Sequence, residues 1–227
     1  MLWQEESVQT QSVITSSITD VVFEMKCRCL PVDHAYALSQ AICQALPWFQ
    51  EEPQAGLHLI HGAESGNGWY RPDSQESLLY LSRRTKLVLR LPRHRFEAVQ
   101  ALCGKNLDIA GYSLTLGEAL EKPLRQMPVL FARHVLTEPE LDEEVFLEDA
   151  VGQLQVLNIQ CRKALCGKSH RFRWQTGEMF TRSLMIAELT PQESIKLQEQ
   201  GLGEGRKMGC GLFVPHKDVK PVTPKET

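Results

Sequence analysis

The chain has 227 residues, 42% hydrophobic and 23% charged, with a formal charge of −3 and seven cysteines. That size suits one large or two small globular domains, and the mild negative charge argues against an indiscriminate nucleic-acid binder. No apolar run approaches the ~20 residues of a membrane helix, and the first twenty residues, with Glu5 and Glu6, do not read as a secretory signal. Without such a signal, reduced thiols in a cytoplasmic protein are expected. Cys27 and Cys29, and Cys161 and Cys166, do not combine into the paired ligand spacing of a zinc site.

Residues 1–19 are Ser, Thr and Gln-rich without period and read as a polar tail. Residues 20–30 alternate through Val21, Phe23 and Met25, which predicts a strand. Asp33 can cap a helix carrying the stripe Ala37, Leu38, Ala41, Ile42, Ala45 and Leu46, and Pro47 ends it. After a connector at 50–54, residues 57–61 form a short strand and 63–68 a turn loop. Strand follows at 78–81 and 85–91, then a helix over 92–103 with Phe96, Val99 and Leu102 on one side. A hairpin around Gly111, at 106–109 and 112–116, closes this half.

The order then recurs. A strand at 127–136 precedes a helix at 141–157. Strands follow at 158–163, 170–175 and 178–189. Thr190, Pro191 and Glu193 form a capping box with proline at the first helical position. That helix runs to Gln200, Gly201 stops it, and residues 207–214 supply the last strand. Two passes of strand, helix, strand, strand, helix, strand give an α+β fold of two tandem ferredoxin-like (βαββαβ) domains. The boundary falls in 121–126, which gives domains of 20–123 and 124–215 and a disordered tail at 216–227.

Five glycines fall within Gly201-Leu202-Gly203-Glu204-Gly205-Arg206-Lys207-Met208-Gly209-Cys210-Gly211, and two cations sit in the middle. Glycine lets backbone approach a ligand, and successive N–H groups beside cations cradle an anion. Gly203, Gly205, Arg206, Lys207 and Gly209 are therefore candidate polyanion-binding residues. The loop is neither a P-loop nor a dinucleotide fingerprint, because no Gly-Lys-Ser/Thr ends it and a strand, not a helix, follows. Two acid-free basic runs accompany it: Arg83, Arg84, Lys86, Arg90, Arg93 and Arg95, then Arg162, Lys163, Lys168, Arg171 and Arg173. Acids pool at 138–149, which suggests one basic and one acidic face.

The glycine loop followed by Phe213 and Pro215, with Leu30-Pro31-Val32-Asp33-His34-Ala35-Tyr36-Ala37-Leu38 and His58-Leu59-Ile60-His61-Gly62 far upstream, resembles the RAMP superfamily. Within it the chain is similar to the CRISPR repeat-processing endoribonucleases, the sixth Cas protein, in their bacterial type I subfamily. The resemblance covers residues 20–214 and implies tandem ferredoxin-like domains, metal-independent RNA cleavage, and a basic β-hairpin, here 162–173, that meets the foot of the repeat stem-loop. It also implies CRISPR repeat RNA and crRNA as partners, with other Cas proteins or a second copy of the chain as further ones.

The residues are read independently of that likeness. No carboxylate set converges as a two-metal nuclease requires, and no cofactor is called for. A metal-free RNase uses the ribose 2′-hydroxyl as nucleophile. It needs a base, an acid and cations for the phosphorane charge. His34, at the first turn of its helix, is the candidate base, since the positive helix end keeps the ring neutral. Of His58 and His61, three apart in one strand, one can face the site, and His58 is the one assigned. Tyr36 is a candidate for orienting the ribose. His94 stands among arginines, His170 lies between Lys168 and Arg171, and His134 and His216 carry no assigned role. Arg83, Arg84, Arg162, Lys163, Lys168, Arg171 and Arg173 are the candidate RNA contacts. The alternatives are a non-catalytic RNA-binding subunit of a crRNA-guided complex and a module for a small anionic metabolite, for which two separated basic runs are unnecessary.

Overall fold

The computed structural model describes residues 16–62, 77–174 and 177–216. The expected turn loop at 63–68, Gln175, and most of the two tails lie outside the described residues. The strand β1 (Ile18–Lys26) begins two residues earlier than expected, because Ile18 and Thr19 pair with Pro92 and Leu91 and are buried. It alternates as the sequence implies, burying Val21, Phe23 and Met25.

A three-residue strand β2 (Cys29–Pro31) leads into α1 (Ala35–Ala45), whose Leu38 and Ile42 face the sheet. Pro47 both ends α1 and opens a second short helix, α2 (Pro47–Glu51), where a connector was expected. The strand β3 (Gly56–His58) stops before His61. It is followed by β4 (Leu78–Tyr80), which pairs with β2 as a separate two-stranded ribbon, and by β5 (Lys86–Pro92). The 92–103 helix is broken into a 3₁₀ turn (Arg93–Arg95), α3 (Phe96–Val99) and a second 3₁₀ turn (Gln100–Leu102). The hairpin β6 (Asn106–Ile109) and β7 (Tyr112–Pro123) completes an antiparallel sheet in the order β3-β5-β1-β7-β6. Here β7 runs to Pro123, past the expected end at 116.

The second sheet contains β8 (Leu130–Thr137), β9 (Lys163–Trp174), β10 (Gly177–Ala187) and β11 (Val214–Pro215), in the order β11-β8-β10-β9. Two helices, α4 (Glu143–Val156) and α5 (Pro191–Gln200), accompany it, and α5 has the Thr190–Glu193 capping box read from the sequence. Two expectations fail here. Residues 158–162 are not strand, and β9 is one continuous strand. Residues 207–213 are not strand either, since a 3₁₀ turn (Arg206–Met208) occupies the loop and only Val214 and Pro215 pair with β8. Among the described residues, no helix is long and apolar enough to cross a membrane.

Each sheet has its own core, and a small cluster of Ala35, Leu59, Phe172, Met208 and Cys210 joins them. A buried cation also spans the junction. Arg90, 0% exposed, grips Asp20 with two hydrogen bonds of 2.8 and 3.0 Å, and donates to the carbonyls of Gln198 and Phe213 at 3.0 and 2.7 Å.

The second sheet is kinked around Ser183. The pairing of β10 with β8 slips between Arg182 and Leu184, and its pairing with β9 slips at the same place. Arg133 and His134 on one side, and Gly167 and Lys168 on the other, thus each oppose the single residue Ser183. These are β-bulges, which flip the side-chain alternation beyond them. In β8, Leu130 and Ala132 pack in the helix-side core before the bulge and Val135 after it. In β9, Ala164 and Cys166 pack on that core, whereas Phe172 beyond the bulge faces the first sheet. Gly167 lets the Ser183 hydroxyl pack against the bulge, since a Cβ there would lie 2.6 Å from Ser183 Oγ and turn it away.

Candidate functional site: a histidine-lined cavity between the sheets

The bulges turn Arg133, His134, Lys168 and Ser183 onto one wall of a cavity of about 200 Å³, which His34, Ile60, His61 and His170 also line. Four imidazoles and two cations meet there, and among the described residues no carboxylate lines it. The His134 ring lies 5.2 Å from His170, 6.4 Å from His61 and 4.6 Å from Phe172. Thr181 Oγ1 holds His134 Nδ1 at 3.2 Å. Imidazoles supply proton transfer near neutral pH, and fixed cations offset charge developing on a phosphate. Among the described residues, no group of three or more His, Cys, Asp or Glu is placed to hold a metal ion.

His34 is the N-cap residue of α1, at the positive end of the helix, as expected. Its ring is not on an open first turn, however, but is 3% exposed. The Ile60 N–H donates to Nε2 at 3.3 Å, so Nδ1 carries the proton and donates to the Pro31 carbonyl at 2.9 Å. That arrangement fixes the tautomer with its lone pair on Nε2, but engages it with backbone. Asp33 is not the cap. Its Oδ2 accepts the Arg173 backbone N–H at 2.9 Å and ties the start of α1 to β9.

Other assignments are corrected by their surroundings. His58 does not reach the cavity. It lies 3.5 Å from Asp20 within the Arg90 network, and burial depresses its pKa despite the neighbouring carboxylate. His61, four residues beyond Leu57, is the member of that stretch that lines the cavity. Tyr36 is also elsewhere, packed edge-on to Trp174 at 5.8 Å. It shares a separate groove with Gly203, Gly205, Arg206 and Lys207.

The glycine-loop cations line that groove and also brace the chain itself. Arg206 donates to the carbonyls of Gln200 and Gln54 at 2.7 and 3.0 Å, and burial lowers its pKa to about 10. Lys207 donates to the carbonyls of Glu52 and Ala55. Gly209 and Gly211 serve close approach of the chain to itself, whereas Gly203 is exposed. A Cβ on Gly211 would lie 2.1 Å from the Leu202 carbonyl oxygen, and one on Gly209 would lie 2.6 Å from Leu59 Cγ. The loop still bears on the cavity, since the Gly211 N–H donates to the His134 carbonyl at 2.7 Å.

The two basic runs are largely neutralised by acids distant in sequence. Lys86 pairs with Glu24, Arg90 with Asp20, Arg93 with Glu121 and Arg95 with Glu52. Only Arg83 and Arg84 of that run remain exposed and without an ion pair among the described residues. In the second run Arg162 is bound to Glu193 at 2.8 Å and to the Glu188 carbonyl. Glu193 is held down to about 2: burial alone would raise it, and the hydrogen bonds from Arg162, Thr190 and Gln160 outweigh that. Lys163 is exposed at the start of β9. Arg171 and Arg173 are exposed too, 3.8 Å from Glu178 and 3.7 Å from Asp33. Of the run, Lys168 and His170 line the cavity. Arg133, His134 and Ser183 were not identifiable, because only the paired bulges bring them there.

With this geometry in view, comparisons with known proteins are informative. The family model described as Cas6 Crispr matches residues 19–218. The CRISPR-associated endonuclease Cas6 of Myxococcus xanthus (strain DK1622) is 32% identical over 196 residues, covering 86% of this chain and 80% of that protein. A solved Cas6-related protein from Pyrococcus furiosus superposes with a TM-score of 0.60 at 12% identity, covering 88% of this chain and 99% of that one. A RAMP protein described as binding different RNA substrates gives 0.58 at 12% identity, over 86% and 98%. The likeness to the two solved structures is one of fold alone. The family match and the M. xanthus relative decide the matter: the chain belongs to the Cas6 family of CRISPR-associated proteins.

Proposed function

We propose that this chain is a metal-independent endoribonuclease that binds CRISPR repeat RNA and cuts pre-crRNA into crRNA. The ribose 2′-hydroxyl attacks the adjacent phosphorus, and the 5′-oxygen leaves to give a cyclic phosphate. The observation that carries this reading is the cavity: imidazoles from both sheets face Arg133 and Lys168, with no carboxylate among the described residues that line it. The name of the M. xanthus relative, a CRISPR-associated endonuclease, supports the same reaction class. The two strand orders and their intervening helices support the reading of 20–123 and 124–215 as tandem ferredoxin-like domains.

His34 is the base. Its Nε2 lone pair already accepts a proton donor, and the reaction exchanges the 3.3 Å Ile60 N–H for the 2′-hydroxyl. His61 or His170 donates a proton to the leaving oxygen, while Arg133 and Lys168 offset the phosphorane charge. Exposed Lys163, Arg171 and Arg173 on β9 contact the RNA backbone. The test is cleavage of the repeat RNA that co-purifies with the protein, in EDTA. His34→Ala should lose ~10²–10⁴ in rate with RNA affinity within about threefold. A full-speed His34→Ala enzyme removes the assignment. The burial of His34 favours one rival, a non-catalytic RNA-binding subunit. Tight binding without any cleavage in EDTA would select it.

A further inference from the structure

A second depression, of about 920 Å³, lies on the first sheet where β1, β5 and β7 meet the loop before β5. Lys26, Arg28, Arg83 and Lys86 line it against Glu24 and Glu118. Lys86 and Glu24 pair at 2.9 Å. Lys26, Arg28 and Arg83 then stand against Glu118 alone and make no ion pair among the described residues. The floor is kept open at Gly117, where a Cβ would lie 3.0 Å from Glu24 Cβ, beside a register slip between β1 and β7. A chain of net charge −3 thus holds a net positive groove away from the histidines.

The groove adjoins the cavity through the β2–β4 ribbon. Leu79 of β4 lines the cavity, and Leu81, just past the end of β4, lines the groove. Tyr80, between them in the sequence and on the outer face of β4, is 69% exposed, although a tyrosine ring usually packs. Cations that track a phosphate backbone, with an exposed aromatic ring for bases, are the elements of a single-strand RNA site.

We propose that this groove holds the unpaired RNA strand leaving the cavity, with Tyr80 stacking on a base at the crossing and Lys26, Arg28 and Arg83 touching phosphates beyond it. This rests on the reading of the cavity as the site of RNA cleavage. The test uses a 12-nucleotide oligouridylate carrying one 4-thiouridine, with full-length protein and its Tyr80→Ala and Lys26→Ala/Arg28→Ala variants, measured by anisotropy across salt concentrations. Tyr80→Ala should weaken binding at least about fivefold. The double variant should make the log–log salt slope shallower by about 0.7 for each phosphate that the removed cations had neutralised. The 4-thiouridine should photo-crosslink to the peptide containing Tyr80. These are surface positions, and an unchanged thermal midpoint shows that the variants fold. Unchanged affinity and slope in both variants, or crosslinks confined to β9, overturn the groove. A wild-type protein that fails to cut repeat RNA, yet loses oligouridylate binding in these variants, overturns the nuclease reading and leaves the groove standing.

Discussion

Arg90→Met tests whether the junction between the sheets is held electrostatically. The guanidinium is 0% exposed and has four partners: both Asp20 oxygens and the carbonyls of Gln198 and Phe213. Removing one member of a buried pair costs ~3–5 kcal/mol, because the other charge is left uncompensated. For a chain of this length each kcal/mol lowers the midpoint by ~2–4 °C, so the variant should melt ~6–20 °C lower. Arg90→Met/Asp20→Leu should recover only part of that loss: the buried pair can be exchanged for apolar packing at little cost, but the Gln198 and Phe213 carbonyls stay stranded. Burial alone would raise the Asp20 carboxyl, but Arg90 and His58 outweigh it and hold the group well below the usual carboxylate range. A depressed folded pKa contributes stability that is fully present above the unfolded value, near 3.9, and is lost as pH falls below it. Urea titrations at pH 7 and pH 3 measure both effects. The reasoning fails if Arg90→Met costs under ~1 kcal/mol at pH 7, or if the double variant is simply additive.

Gly211→Ala should destabilise by ~2–5 kcal/mol, combining left-handed backbone (φ 67°) with a Cβ 2.1 Å from a carbonyl oxygen. Gly152→Ala, in α4 with nothing within 4 Å, should stabilise by ~0.5–1 kcal/mol; urea melts distinguish the two. Arg206→Ala should cost ~1–3 kcal/mol by stranding its carbonyl partners, with no change in the salt dependence of RNA binding. Lys168→Ala should instead lower that slope by ~0.7–0.9. Single-turnover cleavage should separate the histidines: His170→Ala loses ~10²-fold or more, whereas His58→Ala, outside the cavity, affects only stability.

What the sequence revealed was local. Alternation in β1, the apolar stripe of α1 and the capping box at Thr190 are each written within ten residues or so, and each appears where it was read. Charge could not be read this way. Four cations of the acid-free run around Arg90 are neutralised by Asp20, Glu24, Glu52 and Glu121, partners tens of residues away that only the fold brings alongside. The internal contacts of the glycine loop were hidden for a related reason. Its residues are conformationally exceptional as expected, and at Gly201, Gly209 and Gly211 the backbone they admit is the chain's own. His134 and Ser183 were hidden because a bulge inverts alternation, and nothing in residue type marks where that inversion falls.

The cavity is therefore a product of docking, not of either sheet. His34 and His61 come from the first sheet's side, and Arg133, His134, Lys168 and His170 from the second. Two ties beside it fix their apposition: Asp33 to the Arg173 N–H, and Arg206 and Lys207 to the carbonyls of residues 52–55. Each uses a backbone group as one partner, and the two cations among them are half-buried or deeper. Salt screens exposed charges at long range far more than such short contacts. Docking should therefore persist at ionic strengths that strip RNA from the surface. The salt dependence of RNA binding then reports phosphate contacts, and the salt dependence of the single-turnover rate at saturating RNA stays flat so long as the imidazoles remain opposed.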